Sequence, residues 1–156
     1  MSTTDLDIRP DDLTHPAVHA LLAEHLSDMY ATSPAESVHA LDLDRLRGPG
    51  ITMLTAWAGG ELLGCGALSV LDATHGELKS MRTTRAARGR GVASRVLERL
   101  LDEARSRGLT RVSLETGTQE YFAPARRLYV RHGFVECPPF GAYVPDPNSV
   151  FFTREL

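Results

Sequence analysis

A chain of 156 residues, 42% hydrophobic and 24% charged, is long enough to bury a core without disulfide or metal staples. Its formal net charge of −3 argues against a general nucleic-acid binder, and no apolar run reaches the length that spans a bilayer. Cys65 and Cys137 form no C-x-x-C pair, and Met1-Ser2-Thr3-Thr4-Asp5 lacks the basic-then-apolar start of a signal peptide, so reduced thiols and a cytoplasmic address are expected.

The first expected element is a short strand from Leu6 to Arg9, closed by Pro10. Pro16 to Tyr30 reads as a helix, because Val18, Leu21, Leu22, Leu26 and Met29 fall on one face at spacings of three and four. Ser33-Pro34-Ala35-Glu36 has the form of a capping box, which predicts a second helix to about Arg47, ended by Gly48-Pro49-Gly50.

The period then changes. Ile51 to Ala58, Leu62 to Leu71 and Glu77 to Thr84 read as three meander strands, separated by turn signals at Gly59-Gly60 and Asp72 to Gly76. Gly91 to Arg107 is the clearest helix, with Val92, Ala93, Val96, Leu97, Leu100, Leu101 and Ala104 in one apolar stripe and Gly108 placed to cap it. Arg111 to Thr116 alternates as a strand, Pro124 to His132 is a helix stopped by Gly133, and Phe134 to Cys137 and Val150 to Arg154 close the chain as strands. No linker or repeat interrupts this order, so one domain over residues 1–156 is expected, an α/β fold with a mixed sheet and helices on both faces.

Charge is unevenly spread. Lys79, Arg82, Arg85, Arg88, Arg90, Arg95 and Arg99 face a single acid, Glu98, in the same stretch. Within it, Arg88-Gly89-Arg90-Gly91-Val92-Ala93 stands between a strand and a helix. The first amides of a helix lack internal partners and carry partial positive charge. Glycines let an anion approach that backbone, and arginine forks add donors suited to phosphate. G-K-[ST] is missing, which excludes a Walker loop, and Ser94 stands where a dinucleotide fingerprint needs its third glycine.

The spacing R-x-x-G-x-A, met by Arg88, Gly91 and Ala93, resembles the pyrophosphate loop of the GCN5-related N-acetyltransferases (GNAT). The family's later L-Y-x-x-x-G-F is matched by Leu128-Tyr129-Val130-Arg131-His132-Gly133-Phe134 at a fitting distance, and the resemblance is weakest before Ile51. Its stretch 36–46 and the ending Asp146 to Val150 look like a bacterial branch of that family. The resemblance implies the GNAT acyl-CoA N-acyltransferase fold, a central, mostly antiparallel sheet of six to seven strands in which strands four and five splay apart. It implies acetyl-CoA as co-substrate and a small-molecule or peptide amine as acceptor, and homodimers are common in the family.

Site roles follow from the resemblance. Backbone groups of Met81, Arg82 and Thr83 would pair with the pantetheine arm, and amides of Arg88, Gly89, Arg90, Gly91, Val92 and Ala93 would hold the pyrophosphate. Tyr129 matches the tyrosine that protonates the CoA sulfur. Glu77, eleven residues before Arg88, is the candidate base. A free carboxylate is a weak base for an ammonium ion unless burial or a bridging water helps it. Many relatives carry an asparagine where this chain has Phe122, so Tyr121 and Phe122 are expected to shape the acceptor pocket instead. His25 and His39, on the first two helices, are candidates to touch the acceptor. The histidines complete no metal set with cysteines or acids, so no metal is expected. With Cys65 and Cys137 lacking a partner base, direct attack in a ternary complex is favoured over an acetyl-enzyme. The alternative is a catalytically silent CoA-binding sensor or interaction module.

Overall fold

The computed structural model of the protein describes residues 6–38 and 43–156. Strand β1 (Asp7–Pro10) leads into helix α1 (Pro16–Thr32), and a short helix α2 (Leu43–Leu46) precedes the meander β2 (Ile51–Ala58), β3 (Glu61–Val70) and β4 (His75–Thr83). Helix α3 (Val92–Ser106), strand β5 (Arg111–Gly117), helix α4 (Ala123–Arg131) and strands β6 (Val135–Cys137) and β7 (Ser149–Glu155) follow. The seven strands form one sheet in the order β1-β2-β3-β4-β5-β7-β6. All neighbours are antiparallel except β4 and β5, which run parallel.

Period-two alternation divides the core into two layers. Leu54, Ala56, Leu68, Leu78, Val112, Leu114 and Phe152 meet α3 and α4 on one face. Met53, Trp57, Leu62, Cys65 and Ala67 meet α1 and Leu46 on the other. The α3 stripe is buried as its spacing predicts: Val92, Val96, Leu97, Leu100, Leu101 and Ala104 all lie within the core. Burial of each larger member contributes roughly 1.5–3 kcal/mol.

The continuous helix predicted from Ser33 to Arg47 does not form among the described residues. Ser33 is extended and its amide bonds to the Met29 carbonyl, so it ends α1 instead of starting a new helix. The residue before a proline is pushed out of the helical region, and Pro34 follows. Ala35–Ser37 make one 3₁₀ turn, Val38 is extended, and Ser37 Oγ donates to Asp146 Oδ2 at 2.6 Å. A long-range hydrogen bond thus overrides the local capping signal.

Two departures from ideal sheet geometry create the cleft. In β4, Ser80 and Met81 together oppose the single residue Gly66, and Ser80 takes φ of +55°. Such a bulge kinks the strand and increases its twist. A Cβ on Gly66 would meet Met81 Sδ at 2.5 Å and Leu100 Cδ1 at 2.8 Å, so a larger residue there would force those side chains to move. Second, β4 and β5 pair only from His75–Glu77 to Arg111–Ser113. Past that point they part, as the resemblance implied, while β5 stays paired with β7 along its whole length.

Candidate active site

The gap between β4 and β5 opens into a cleft of about 580 Å³. Its floor is β4 from Glu77 to Thr83 and β5 from Leu114 to Gly117; the start of α3, one face of α4 and the end of α1 supply its walls.

At one end stands the arginine–glycine loop. A 3₁₀ turn (Arg85–Ala87) buries Ala87 completely and brings the chain off β4. Gly89 and Gly91 then adopt φ of +76° and +79°, a region that costs other residues strain. Gly91 is the residue that caps α3, and nothing lies within 4 Å of a Cβ placed on Gly89. Arg88, Gly89, Gly91, Val92 and Ala93 line the cleft. Arg90 does not stand with them: its guanidinium lies 3.4 Å from the Ala86 carbonyl.

Much of the wider cationic zone is engaged by the protein's own acceptors, Arg85 included, which faces Glu24 and Asp28 at 3.7 and 3.9 Å. Arg82 Nη2 binds Glu24 Oε1 and Asp28 Oδ2 of α1, each at 2.5 Å, and Nη1 donates to Tyr121 Oη at 2.8 Å. Burial alone would disfavour that charge, but the hydrogen bonds to Asp28 and Glu24 outweigh it and hold the guanidinium firmly protonated. Lys79 is bound to Glu77, and Arg99 Nη1 donates to the Ile8 carbonyl. The remaining cleft cations are Arg88 and, on α4, Arg127 and Arg131, among the described residues. Arg126, also on α4, instead donates to the Gly117 and Gln119 carbonyls at 2.7 and 2.9 Å and holds the β5–α4 connection.

Tyr129 lines the middle of the cleft, 5% exposed, with its ring against Phe134 and Phe152. Burial, then the Glu115 charge, pushes its hydroxyl above the ordinary phenol range, so it keeps its proton at any working pH. Glu77 lies at the other end, also buried and lining the cleft. Its Oε2 accepts hydrogen bonds from Tyr143 Oη at 2.5 Å and Lys79 Nζ at 3.1 Å. Met81, Arg82 and Thr83 line the β4 side between these points, and Tyr121 and Phe122 line the wall.

His25 faces the cleft from α1, and its Nδ1 has no hydrogen-bond partner. Burial first, and then the Arg82 charge, lowers its pKa to about 4. A folded pKa below the unfolded value of about 6.5 means stability fully present above pH 6.5 and lost as pH falls toward 4. Chemical denaturation between pH 7 and pH 4 should show a decline of about 3 kcal/mol from this group, absent in His25→Leu. His39 lies outside the described residues.

Two residues at the site carried no sequence signal for it. Tyr143, behind the cleft lining, reaches Glu77 across sixty-six positions, and Asn148 joins the cleft wall from the same loop. Lys79 was legible in principle, because i and i+2 share a strand face with Glu77. Among the described residues no group of three His, Cys, Asp or Glu side chains is placed to hold a metal, and no helix is long and apolar enough to cross a membrane.

Comparison with known proteins agrees with this geometry. The pattern of the Acetyltransferase (GNAT) family matches residues 18–134. The chain is 53% identical to the uncharacterised N-acetyltransferase YsnE of Bacillus subtilis, over 97% of this chain and 100% of that one. It is 52% identical to the uncharacterised N-acetyltransferase YedL of Escherichia coli, over 96% and 94%. An IAA acetyltransferase of Azospirillum brasilense is 43% identical over 86% of each chain. Among solved structures, a protein from Klebsiella pneumoniae assigned as an acyl-CoA N-acyltransferase superposes with a TM-score of 0.78, at 28% identity and 97% coverage of both chains. A GNAT family acetyltransferase from Elizabethkingia anophelis, solved with acetyl-CoA bound, shares the fold at a TM-score of 0.72 and 17% identity, over 97% and 99%. With its splayed strands and glycine loop opening α3, the chain belongs to the GNAT acetyltransferase family and is an acyltransferase that draws on acyl-CoA.

Proposed function

We propose that residues 1–156 form one cytoplasmic N-acetyltransferase domain that moves the acetyl group of acetyl-CoA to a primary amine by direct attack. The observation that carries this reading is the cleft itself. It joins an anion-ready helix start, an unpaired strand edge, a protonated tyrosine and a buried carboxylate in one continuous space. The residues fit acetyl-CoA. Gly89 and Gly91 leave the α3 amides open to a pyrophosphate, and β4 past Glu77 has no strand beside it on the β5 side. The related fold that holds acetyl-CoA supports the same ligand here.

When bound, acetyl-CoA supplies the activated carbonyl. The amine nitrogen forms a bond to the carbonyl carbon as the carbon–sulfur bond breaks. Tyr129 gives the departing sulfur its proton, and Glu77, directly or through water, takes one from the amine. The cysteines favour direct attack over an acetyl-enzyme. Cys65 is 2% exposed, its thiol donates to the Ser80 carbonyl, and burial pushes its pKa up to about 12. Burial likewise raises the Cys137 thiol. Neither is a ready thiolate.

The test is thiol release from acetyl-CoA across a panel of primary amines: amino acids, peptides, polyamines and aminoglycosides. At least one acceptor should accelerate release well above hydrolysis. Acetyl-CoA binding with no amine-dependent release would instead describe a CoA-binding sensor.

A further inference from the structure

The connection between β6 and β7, residues 138–148, has no regular structure, yet it is fastened at three places. Phe140 packs on Phe151 and His75, with ring centroids 6.0 and 5.7 Å apart. Asp146 accepts the Ser37 hydroxyl at 2.6 Å. Asn148 accepts from Gln119 Nε2 at 2.9 Å and, through its carbonyl, from the Thr118 amide at 3.2 Å. These contacts tie the loop to the α1–α2 connection, to the start of β4 and to the β5–α4 connection. Between them stands Tyr143, its ring against Phe140 and Phe151 at 5.1 and 5.4 Å.

We propose that Tyr143 is a positioning residue for the transfer reaction, holding the Glu77 carboxylate in the orientation that presents it to the acceptor. The inference rests on Glu77 serving as the base. Tyr143 Oη donates to Glu77 Oε2 at 2.5 Å and accepts from Lys79 Nζ at 2.7 Å, while Lys79 Nζ also donates to Glu77 Oε2 at 3.1 Å. Two donors on one oxygen fix the carboxylate plane and so aim the other oxygen. Glu77 and Lys79 line the cleft and Tyr143 does not, so Tyr143 acts through Glu77. Burial, and next the Glu77 charge, push the Tyr143 hydroxyl well above the ordinary phenol range, which keeps it a donor. Lys79 also lies over the Tyr143 ring, 5.4 Å from its centroid, so the three side chains hold one another. A tyrosine that only packed the loop would need no hydroxyl, because its ring contacts suffice for that.

The experiment is a double-mutant cycle on the full chain with acetyl-CoA and an acceptor from the panel. Tyr143→Phe keeps the ring and its aromatic contacts. It should lower kcat on the order of tenfold and leave the KM for acetyl-CoA unchanged. Glu77→Gln should lower kcat further. The double variant should be no slower than Glu77→Gln alone, because Tyr143 then has no carboxylate to hold. A wild-type kcat in Tyr143→Phe, or a loss that multiplies onto that of Glu77→Gln, overturns the inference while leaving Glu77 as base. A wild-type kcat in Glu77→Gln removes the base itself, and the role of Tyr143 with it.

Discussion

Replacing Tyr129 by phenylalanine should lower kcat by roughly 10²–10³-fold and leave the KM for acetyl-CoA within about twofold. The ring packs between Phe134 and Phe152, so phenylalanine fills the same space and the fold has no reason to change. What is lost is one buried proton donor. Without it the sulfur leaves as a bare thiolate, and the cost falls on the transition state and not on binding. Burial and the Glu115 charge both favour the neutral hydroxyl, so the wild-type enzyme should lose no activity through Tyr129 ionisation on the alkaline side. Thiol release at saturating acetyl-CoA and acceptor measures the effect. An unchanged kcat would reduce Tyr129 to a packing residue.

The second large effect concerns stability. Arg82→Met should destabilise the protein by about 1–3 kcal/mol in a denaturant titration at pH 7. The Arg82 side chain is 5% exposed and joins β4 to two carboxylates of α1. Methionine would fill much of its volume but leave Glu24 and Asp28 with only the longer pairs to the exposed Arg85, at 3.7 and 3.9 Å. The Arg82 hydrogen bond holds the Asp28 carboxyl below the usual range. A lowered folded pKa gives stability that is present above the unfolded value and lost as pH falls through the folded one. The gap between Arg82→Met and the parent protein should therefore narrow as pH falls below the ordinary carboxylate range, where first the unfolded chain and then folded Asp28 take up protons. A gap under 1 kcal/mol at pH 7 would mean the network is a surface contact, not a structural clasp.

Most of the fold was legible because its signals are local. The α3 stripe, the glycine turns of the meander and the alternation of β5 each arise within one element, and each element lies within two residues of its expected place. The helix expected from Ser33 failed because its capping signal is equally local. Pro34 ended α1 through Ser33, and Ser37 turned toward Asp146, far along the chain. In the cleft, the glycine loop and Tyr129 were visible because fixed spacing carries them. Arg82 was read for its backbone, but its side chain serves α1. The arginine-rich stretch looked like a ligand surface because a sequence cannot show which carboxylates, from Glu24 to Glu77, return to claim its charges. Tyr143 shows the same limit. Nothing near it in sequence indicates that a loop sixty-six residues on will fold back over Glu77.

The bulge at Ser80 sets a phase as well as a shape. Under strict alternation Glu77, Lys79 and Met81 would share one side of β4, and Arg82 would point into the apolar layer beneath α3. One inserted position shifts the count. Lys79 and Arg82, opposite Ala67 and Cys65, then share the α1 side, and Met81 crosses to the Gly66 side against Leu100. The half of β4 that carries Glu77 and Lys79 thus keeps odd parity, and the half that carries Arg82 keeps even parity. Straightening the strand with every residue kept would exchange the tenants of the two layers, a charge for a thioether, whereas deleting Ser80 would restore one-to-one pairing and leave them in place.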